Sequence, residues 1–447
     1  MKENINLPIE GMQDIFGLRL RKIDFLNRKF ADVVQRYGYE QLEVPLIEKA
    51  SSFSEEVVGQ SPWPEWDKRG CFYLKIHNYS SSFDCLESST DALLIPEGTI
   101  SVTRWLGNLL DTNTNFTLPL KIYYKLPCFR NELINNLSET KQRQFNQFGV
   151  EILGTKALVS DLEIIYLIHR LLTEVGVDGN KIRMRISDVG IFRKLISECK
   201  ITHDDSIVLK EAMDTIAECR AGKFPERKER NVAIFVATLS KYSLNERQNK
   251  MWDLILRHKT GVVDSEFFSV FPKEYHEHLN KLKILCNQLN TNGINSTLDL
   301  CVVRSHEYYT GISFEVDVMD SKENYIEIAG GGRYDKLVGR FVENYPSDII
   351  PSTGFAFGME RVVDMLNKLG LFNSTITFSS RLSFLESNAD TLVVLKEDRN
   401  EDIVSLYFRA IKLIEENREK RFDIYVGENN QYEEYKRQRK IGKLQII

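Results

Sequence analysis

The chain has 447 residues, 42% of them hydrophobic and 28% charged, an ordinary balance for a globular protein of two or three domains. That excludes a collagen, a disulfide miniprotein and a chain disordered throughout. Lys and Arg sum to 59 against 64 for Asp and Glu, a formal net charge of -5, so nucleic acid would have to be met by local basic patches rather than by the overall field. The seven cysteines are odd in number and none forms a CxxC pair, which reads as a reduced, intracellular protein without a zinc ribbon. The seven histidines include no HExxH; His276 and His278 flank Glu277, a spacing that fits a charged exposed helix better than a metal site. Residues 1–17 lack an apolar signal region and no apolar run reaches the length of a membrane span, so a cytoplasmic location is expected.

In chain order, Ile23, Leu26, Phe30, Val33 and Val34 predict a helix over Leu18–Gln35, stopped by Gly38. A strand is expected over Glu40–Val44, then antiparallel strands within 71–105 leading to Pro96-Glu97-Gly98-Thr99 and a helix. Lys121–Arg130 and Lys141–Leu153 read as a long hairpin. From about 155 to 295 helical patterns dominate. Strands return at Thr297–Arg304 and Gly311–Val318, followed by a Gly-rich turn at Ala329–Gly332 and a strand and helix over Ser352–Leu369. Residues 370–390 carry no periodicity and read as linker. The last unit alternates: a buried parallel-type strand at Thr391–Leu395, a helix stripe from Ile403 to Ile414, a strand at Phe422–Val426, then a charged helix and a short strand.

Strand alternation puts Arg143, Phe145, Gln147, Gly149 and Glu151 on one face of the hairpin, and Arg130 and Glu132 together on its partner. This mixture suits neither a core nor a solvated surface well. It fits a floor for a flat ring, a phosphate and a polar small molecule, while a surface hairpin with incidental charges remains the plain alternative. Three further segments stand out: Arg304 followed by Tyr308 and Tyr309; Gly330-Gly331-Gly332-Arg333-Tyr334-Asp335; and Gly354 to Arg361, a strand of small residues running into a helix. Each taken alone is equally a strand end or a structural turn, and the last is not the dinucleotide GxGxxG.

Together these segments resemble the histidyl-tRNA synthetase group of class II aminoacyl-tRNA synthetases over nearly the whole chain. Gly11-Met12-Gln13-Asp14, the first helix and Pro45 resemble motif 1, the dimerisation element; Phe129–Glu132 through Arg143–Glu151 resemble motif 2; Gly354–Arg361 resembles motif 3. Pro96–Thr99, Arg304 with Tyr308-Tyr309, and Gly332–Asp335 are more specific to the histidyl branch. The implied fold is α+β: a class II antiparallel sheet with flanking helices over residues 1–373, a mostly helical insertion at about 190–295, a linker at 374–388, and at 389–447 a small α/β domain resembling a shortened anticodon-binding domain.

By this resemblance ATP would lie bent on the sheet. Arg130 would contact the α-phosphate, Glu132 the adenine amino group, and Phe145 would stack beneath the adenine. Arg361 would cover its other face, with Arg143 and Lys141 also at the nucleotide. Arg304 would be a second catalytic arginine, opposite Arg130. Glu97, Thr99 and Gln147 would hold the α-ammonium, while Glu151, Tyr308, Tyr309 and Tyr334 would line the side-chain pocket. Bound Mg²⁺ is implied, with no ligands identified. Expected partners are histidine or a related amino acid, tRNA and a second copy of the chain, and no membrane. The resemblance implies histidyl-adenylate formation and transfer to tRNA. A paralogue charging a non-tRNA acceptor, or a non-catalytic regulatory subunit of histidine biosynthesis, are the alternatives.

The chain departs from the family pattern in places. Thr140-Lys141-Gln142-Arg143 stands where Gly-Arg-Tyr-Arg is usual, so a lysine replaces a phosphate-binding arginine. The loop Leu133–Glu139 is longer than usual; Ile95 replaces an arginine; and Ser305-His306-Glu307 replaces Gly-Leu-Asp. These changes fall on acceptor handling more than on activation. A basic run, Lys436-Arg437-Gln438-Arg439-Lys440, reads as a solvated helix face or an RNA patch.

Overall fold

The computed structural model describes residues 6–15, 18–59, 70–79, 86–113, 115–132, 141–222, 224–257, 261–304, 307–372, 391–396, 402–417, 420, 422–426, 431–438, 441 and 443–447. The expected linker at 374–388 and the loop Leu133–Glu139 lie outside them. In chain order come α1 (Leu18–Arg36), β1 (Glu40–Gln41), β2 (Ile47–Lys49), α2 (Glu55–Val58), β3 (Tyr73–Tyr79), β4 (Leu86–Leu94), α3 (Thr99–Thr112), β5 (Leu120–Phe129), β6 (Gln144–Leu153), α4 (Leu158–Glu174) and β7 (Ile182–Asp188). A helical stretch follows: α5 (Val189–Glu198), α6 (His203–Arg220), α7 (Lys228–Leu239), α8 (Glu246–Arg257), α9 (Ser265–Val270) and α10 (His276–Thr291). Then β8 (Ser296–Leu298), β9 (Ile312–Met319), β10 (Tyr325–Arg333), β11 (Ser352–Gly358) and α11 (Met359–Lys368) return to the first sheet. The last unit is β12 (Thr391–Val394), α12 (Ile403–Glu416), β13 (Phe422–Tyr425), α13 (Tyr432–Gln438) and β14 (Lys443–Ile446).

Among the described residues the main sheet has eight strands in the order β1-β5-β6-β11-β10-β9-β7-β8. Its centre, from β5 to β7, is antiparallel throughout. The alternation in β6 explains which face is which. Phe148, Val150 and Ile152 are fully buried and belong to the core beneath the helices. There Phe30 of α1 packs edge-on to Phe148 at 5.4 Å and against Phe357 at 5.2 Å. Each such side chain contributes about 1.5–3 kcal/mol by leaving water. Gln147, Gly149 and Glu151 necessarily point the other way.

Two expected elements differ. Ala329–Gly332 is not a turn but the second half of β10, paired with β9 and β11. The glycines serve close approach between strands: a Cβ on Gly331 would stand 2.1 Å from the Gly354 carbonyl oxygen. The strand expected over Thr297–Arg304 ends at Leu298. Beyond it the chain turns, and Arg304 takes a left-handed φ of 57° that no strand allows.

The last unit is a parallel sheet, β13-β12-β14, docked on the main sheet by a buried charge cluster. Lys121 of β5, 1% exposed, donates to Asp423 Oδ1 of β13 at 2.8 Å and lies 3.2 Å from Glu163 Oε1 of α4. Tyr39 donates to Glu163 at 2.8 Å and Tyr435 to Asp423 at 2.7 Å. Burial pulls the Lys121 ammonium down, but Asp423 and Glu163 more than reverse it, so it titrates above the usual lysine value. Gly38, at φ 83°, lets Asp423 in, since a Cβ there would come within 2.2 Å of its carboxyl carbon. The six described cysteines are free and buried. Among the described residues no helix is long and apolar enough to cross a membrane.

Candidate active site

The polar face of β6 and the neighbouring strands floor a cleft. Of the residues singled out in the sequence, Glu97, Thr99, Arg130, Glu132, Lys141, Phe145, Gln147, Glu151, Arg304, Tyr308, Tyr309, Tyr334 and Arg361 all line it. Arg143 does not. It lies just before β6, where the strand alternation that placed it on the floor has not begun. Its Nε donates to the Glu132 carbonyl at 3.2 Å and its Nη1 to the Glu10 carbonyl at 2.9 Å, so it ties the N-terminal segment to the hairpin.

At the deep end Glu151 is 1% exposed. It accepts from Tyr334 Oη at 2.5 Å, Thr99 Oγ1 at 3.0 Å and Tyr124 Oη at 3.3 Å. Burial pushes its carboxyl up to about 8, against the pull of these hydrogen bonds and with help from the Glu97 charge. Gly354 on β11 faces it, and any Cβ there would lie 1.5 Å from Glu151 Oε2. Tyr308 packs on Tyr309 at 4.8 Å and edge-on to Tyr334 at 6.0 Å. Tyr334 reaches the pocket because its neighbour Arg333 is anchored behind the sheet, donating from Nε and Nη2 to Asp161 of α4 at 3.1 and 2.9 Å.

Glu97 and Gln147 have structural duties already. Glu97 accepts from the backbone N–H of Ile100 at 2.8 Å and of Thr99 at 3.1 Å, capping α3, while Gln147 Oε1 accepts from Gly98 N at 3.0 Å. Each Glu97 oxygen keeps a second lone pair and can still receive an ammonium, whereas Gln147 Oε1 also accepts from Cys128 Sγ at 3.4 Å and would have to give up that weak bond. Burial raises the Glu97 carboxyl, and the Ile100 and Thr99 hydrogen bonds oppose the shift.

At the open end the Arg130 guanidinium lies 5.2 Å from the Phe145 ring centroid, its Nε donating to the Pro96 carbonyl at 3.0 Å. Lys141 and Glu132 pair with each other at 3.1 Å. Glu360 accepts from Asn146 N and Nδ2, at 3.0 and 2.7 Å, and so fastens the start of α11 to β6. Arg304 Nη1 donates to Glu315 Oε1 at 3.0 Å and lies 3.6 Å from Glu327. Burial opposes its charge, but Tyr309, Glu315, Glu327 and Asp214 outweigh it and hold the guanidinium above its usual range. Among the described residues its buried Nε has no hydrogen-bond partner.

Glu315, Glu327 and Glu360 were not singled out from the sequence. Glu315 had a signal: Ser313, Glu315 and Asp317 alternate with apolar residues along β9, so one face of a central strand is polar. His276 and His278, on α10, are bonded to the Phe271 carbonyl at 3.0 Å and to Asp188 at 2.7 Å, not to each other's vicinity as a ligand pair. Among the described residues no group of three acidic, histidine or cysteine side chains could hold a metal ion.

An antiparallel sheet backed by helices, with an arginine-rich cleft on its open face, is the class II aminoacyl-tRNA synthetase fold. A family model described as histidyl-tRNA synthetase matches residues 88–362, and the chain belongs to that family. It is similar to the histidine–tRNA ligase of Sulfurisphaera tokodaii, 28% identical over 81% of this chain and 75% of the relative, and to that of Methanocaldococcus jannaschii, 25% identical over 82% and 77%. Among solved structures it resembles an ATP phosphoribosyltransferase regulatory subunit/histidyl-tRNA synthetase from Bacillus halodurans, with a TM-score of 0.62 and 17% identity over 100% of this chain and 99% of that one. The histidyl-tRNA synthetase of Nostoc matches with a TM-score of 0.60 and 16% identity over 98% and 90%. These structural likenesses concern the fold.

Proposed function

We propose that the chain activates histidine with ATP, forming histidyl-adenylate and pyrophosphate, and passes the histidyl group to tRNA. The observation that carries this reading is the pairing, in one cleft, of two guanidinium groups (Arg130 and Arg304) with a buried, protonatable carboxyl at the deep end. The amino acid's own carboxylate attacks the α-phosphorus, a P–O bond forms, and the bond to pyrophosphate breaks. No protein nucleophile or base is required. Arg130 and Arg304 stabilise the charge that grows on the phosphorane oxygens, and positioning supplies the remainder. Phe145 offers the adenine a stacking face and Arg361 a cation above it. Glu132 and Lys141 exchange their mutual ion pair for the adenine amino group and the outer phosphates.

In the side-chain pocket, neutral imidazole both donates and accepts. Glu151 held protonated near neutral pH donates to the bare ring nitrogen, and Tyr309 and Tyr334 bracket the other. Mg²⁺ would ride on the triphosphate oxygens rather than in a protein cage, as is usual for that ion, and would supply further charge neutralisation. A homodimer is supported by the exposed apolar residues Tyr73, Leu74, Ile76 and Tyr79 on β3, and a cytoplasmic setting by the family.

The alternatives separate cleanly by experiment. ATP–pyrophosphate exchange across the twenty amino acids, followed by charging of total tRNA, decides among them. Histidine-stimulated exchange with charging supports the reading; exchange without charging selects the non-tRNA acceptor; no exchange with any amino acid selects the regulatory subunit.

A further inference from the structure

Helix α6 lies in the helical stretch between β7 and β8, outside the sheet that carries the cleft. One of its faces is nevertheless turned to the surroundings of Arg304. Lys210, Asp214 and Ala217 recur at the spacing of one helical face. Lys210, only 3% exposed, donates to Glu307 Oε1, and Arg193 of α5 donates to the Glu307 carbonyl oxygen. The Ala217 carbonyl accepts from Arg185 Nη1 of β7 at 3.1 Å. Arg185 in turn donates to Glu315 Oε2 at 2.5 Å and Asp317 Oδ2 at 2.7 Å, and the other oxygen of Glu315 holds Arg304. One turn further along α6, Arg220 donates to Asp299.

The helix thus holds Asp299 and Glu307, which lie on either side of Arg304 in sequence. That residue needs gripping. Its left-handed backbone persists only where the surroundings over-determine it. Its guanidinium is laid against Gly330, where a Cβ would come within 2.4 Å of Nη1. The sheet therefore leaves room for the arginine and anchors it, among the described residues, through Glu315 and Glu327. Asp214 adds a third negative group in its field; its carboxyl is raised by burial and by Glu315, and lowered by Arg304.

We propose that Lys210 is a positioning residue for Arg304, so that the helical insertion sets the geometry of adenylate formation. This rests on the activation reading above. Lys210 acts by fixing Glu307, three residues beyond Arg304. It does not touch substrate.

The test uses the full chain with Lys210→Met, Lys210→Arg, Glu307→Gln and the Lys210→Met/Glu307→Gln pair, in histidine-dependent ATP–pyrophosphate exchange. Lys210→Met is expected to lower kcat roughly 10–100-fold, the range in which a misplaced catalytic group costs rate, with KM for ATP and histidine little changed. The double variant is expected to be no worse than the worse single, since both remove one contact. Lys210→Arg recovers much of the rate. Unchanged kcat in Lys210→Met, or a loss that Lys210→Arg shares in full, overturns the proposal. Hydrogen–deuterium exchange of the peptide over 299–310 gives a readout independent of turnover: lost protection in Lys210→Met supports the coupling, and unchanged protection overturns it even where the wild-type chain shows no exchange activity. That last outcome in the wild type sinks the activation reading by itself.

Discussion

Lys121→Met is the sharpest structural test. The ammonium is 1% exposed and stands between two carboxylates, Asp423 at 2.8 Å and Glu163 at 3.2 Å, themselves 2% and 0% exposed. Methionine fills nearly the same space, so packing is kept and the charge alone goes. Removing one partner of a buried ionic cluster typically costs about 3–5 kcal/mol, because the charges left behind stay desolvated. Here the loss falls on the contact between β5 and the last unit, and shifts its docking equilibrium roughly 10²–10³-fold or more, at about 1.4 kcal/mol per decade. The chain has more than one unit, so a single melting curve is a poor measure. Limited proteolysis at pH 8 reads the docking directly, as faster cleavage within 391–447. The sign with pH is fixed. Burial raises the Glu163 carboxyl above its usual value, so its contribution is present below that value and lost as pH rises through the folded one. The variant's defect is therefore largest at pH 8 and shrinks toward pH 5, as the stranded Glu163 carboxylate takes up its proton. Adding Glu163→Gln and Asp423→Asn should recover much of the loss at pH 8. Cleavage identical to wild type at pH 8 would refute the claim that this cluster holds the last unit in place.

Three further outcomes bear on the cleft. Arg304→Ala should reduce histidine-dependent exchange by roughly 10²–10³-fold, about 3–4 kcal/mol, by analogy with losing one preorganised donor; unchanged exchange would remove Arg304 from the reaction. Glu151, pushed up from 4.5 to about 8, makes a stability contribution that is full below about pH 4.5 and lost as pH rises through about 8, so the melting temperature should fall over that window and Glu151→Gln should flatten the fall; a slope that survives the substitution contradicts a protonated Glu151. Gly354→Ala would place a Cβ 1.5 Å from Glu151 Oε2, an overpacking worth about 1–3 kcal/mol that should appear as a raised KM for histidine. Gly358→Ala, whose Cβ would meet Arg361 Cδ at 3.9 Å and Cγ at 4.0 Å, both ordinary van der Waals contacts, serves as the tolerated control.

Much of the cleft was legible in β6. Its period of two separates Phe148, Val150 and Ile152 from Gln147 and Glu151 whatever the tertiary context, and the register with β5 and β11 then carries the floor sideways. Arg143 was misplaced because alternation says nothing about where a strand begins. The Ala329–Gly332 glycines read as a turn because glycine weakens strand propensity; only the neighbouring Gly354 and the Arg304 side chain show why small residues are needed there. Arg304 read as strand because a left-handed residue leaves no local mark unless it is glycine or asparagine. Its partners Glu315 and Glu327 come from two separate strands, and long-range pairing of that kind has no period to read.

The buried cysteines have a practical use. Burial lifts the thiols of Cys286 and Cys301 to about 12 and that of Cys128 well above its usual value, and a thiol without thiolate is inert to alkylation. Each therefore reacts only when its surroundings open, at a rate set by how often they do. Cys128 sits under the cleft and donates to Gln147, whereas Cys286 lies on α10 with Ser296 donating to its carbonyl oxygen. Their labelling rates become separate clocks for breathing of the cleft and of the helical region, with no probe attached in advance.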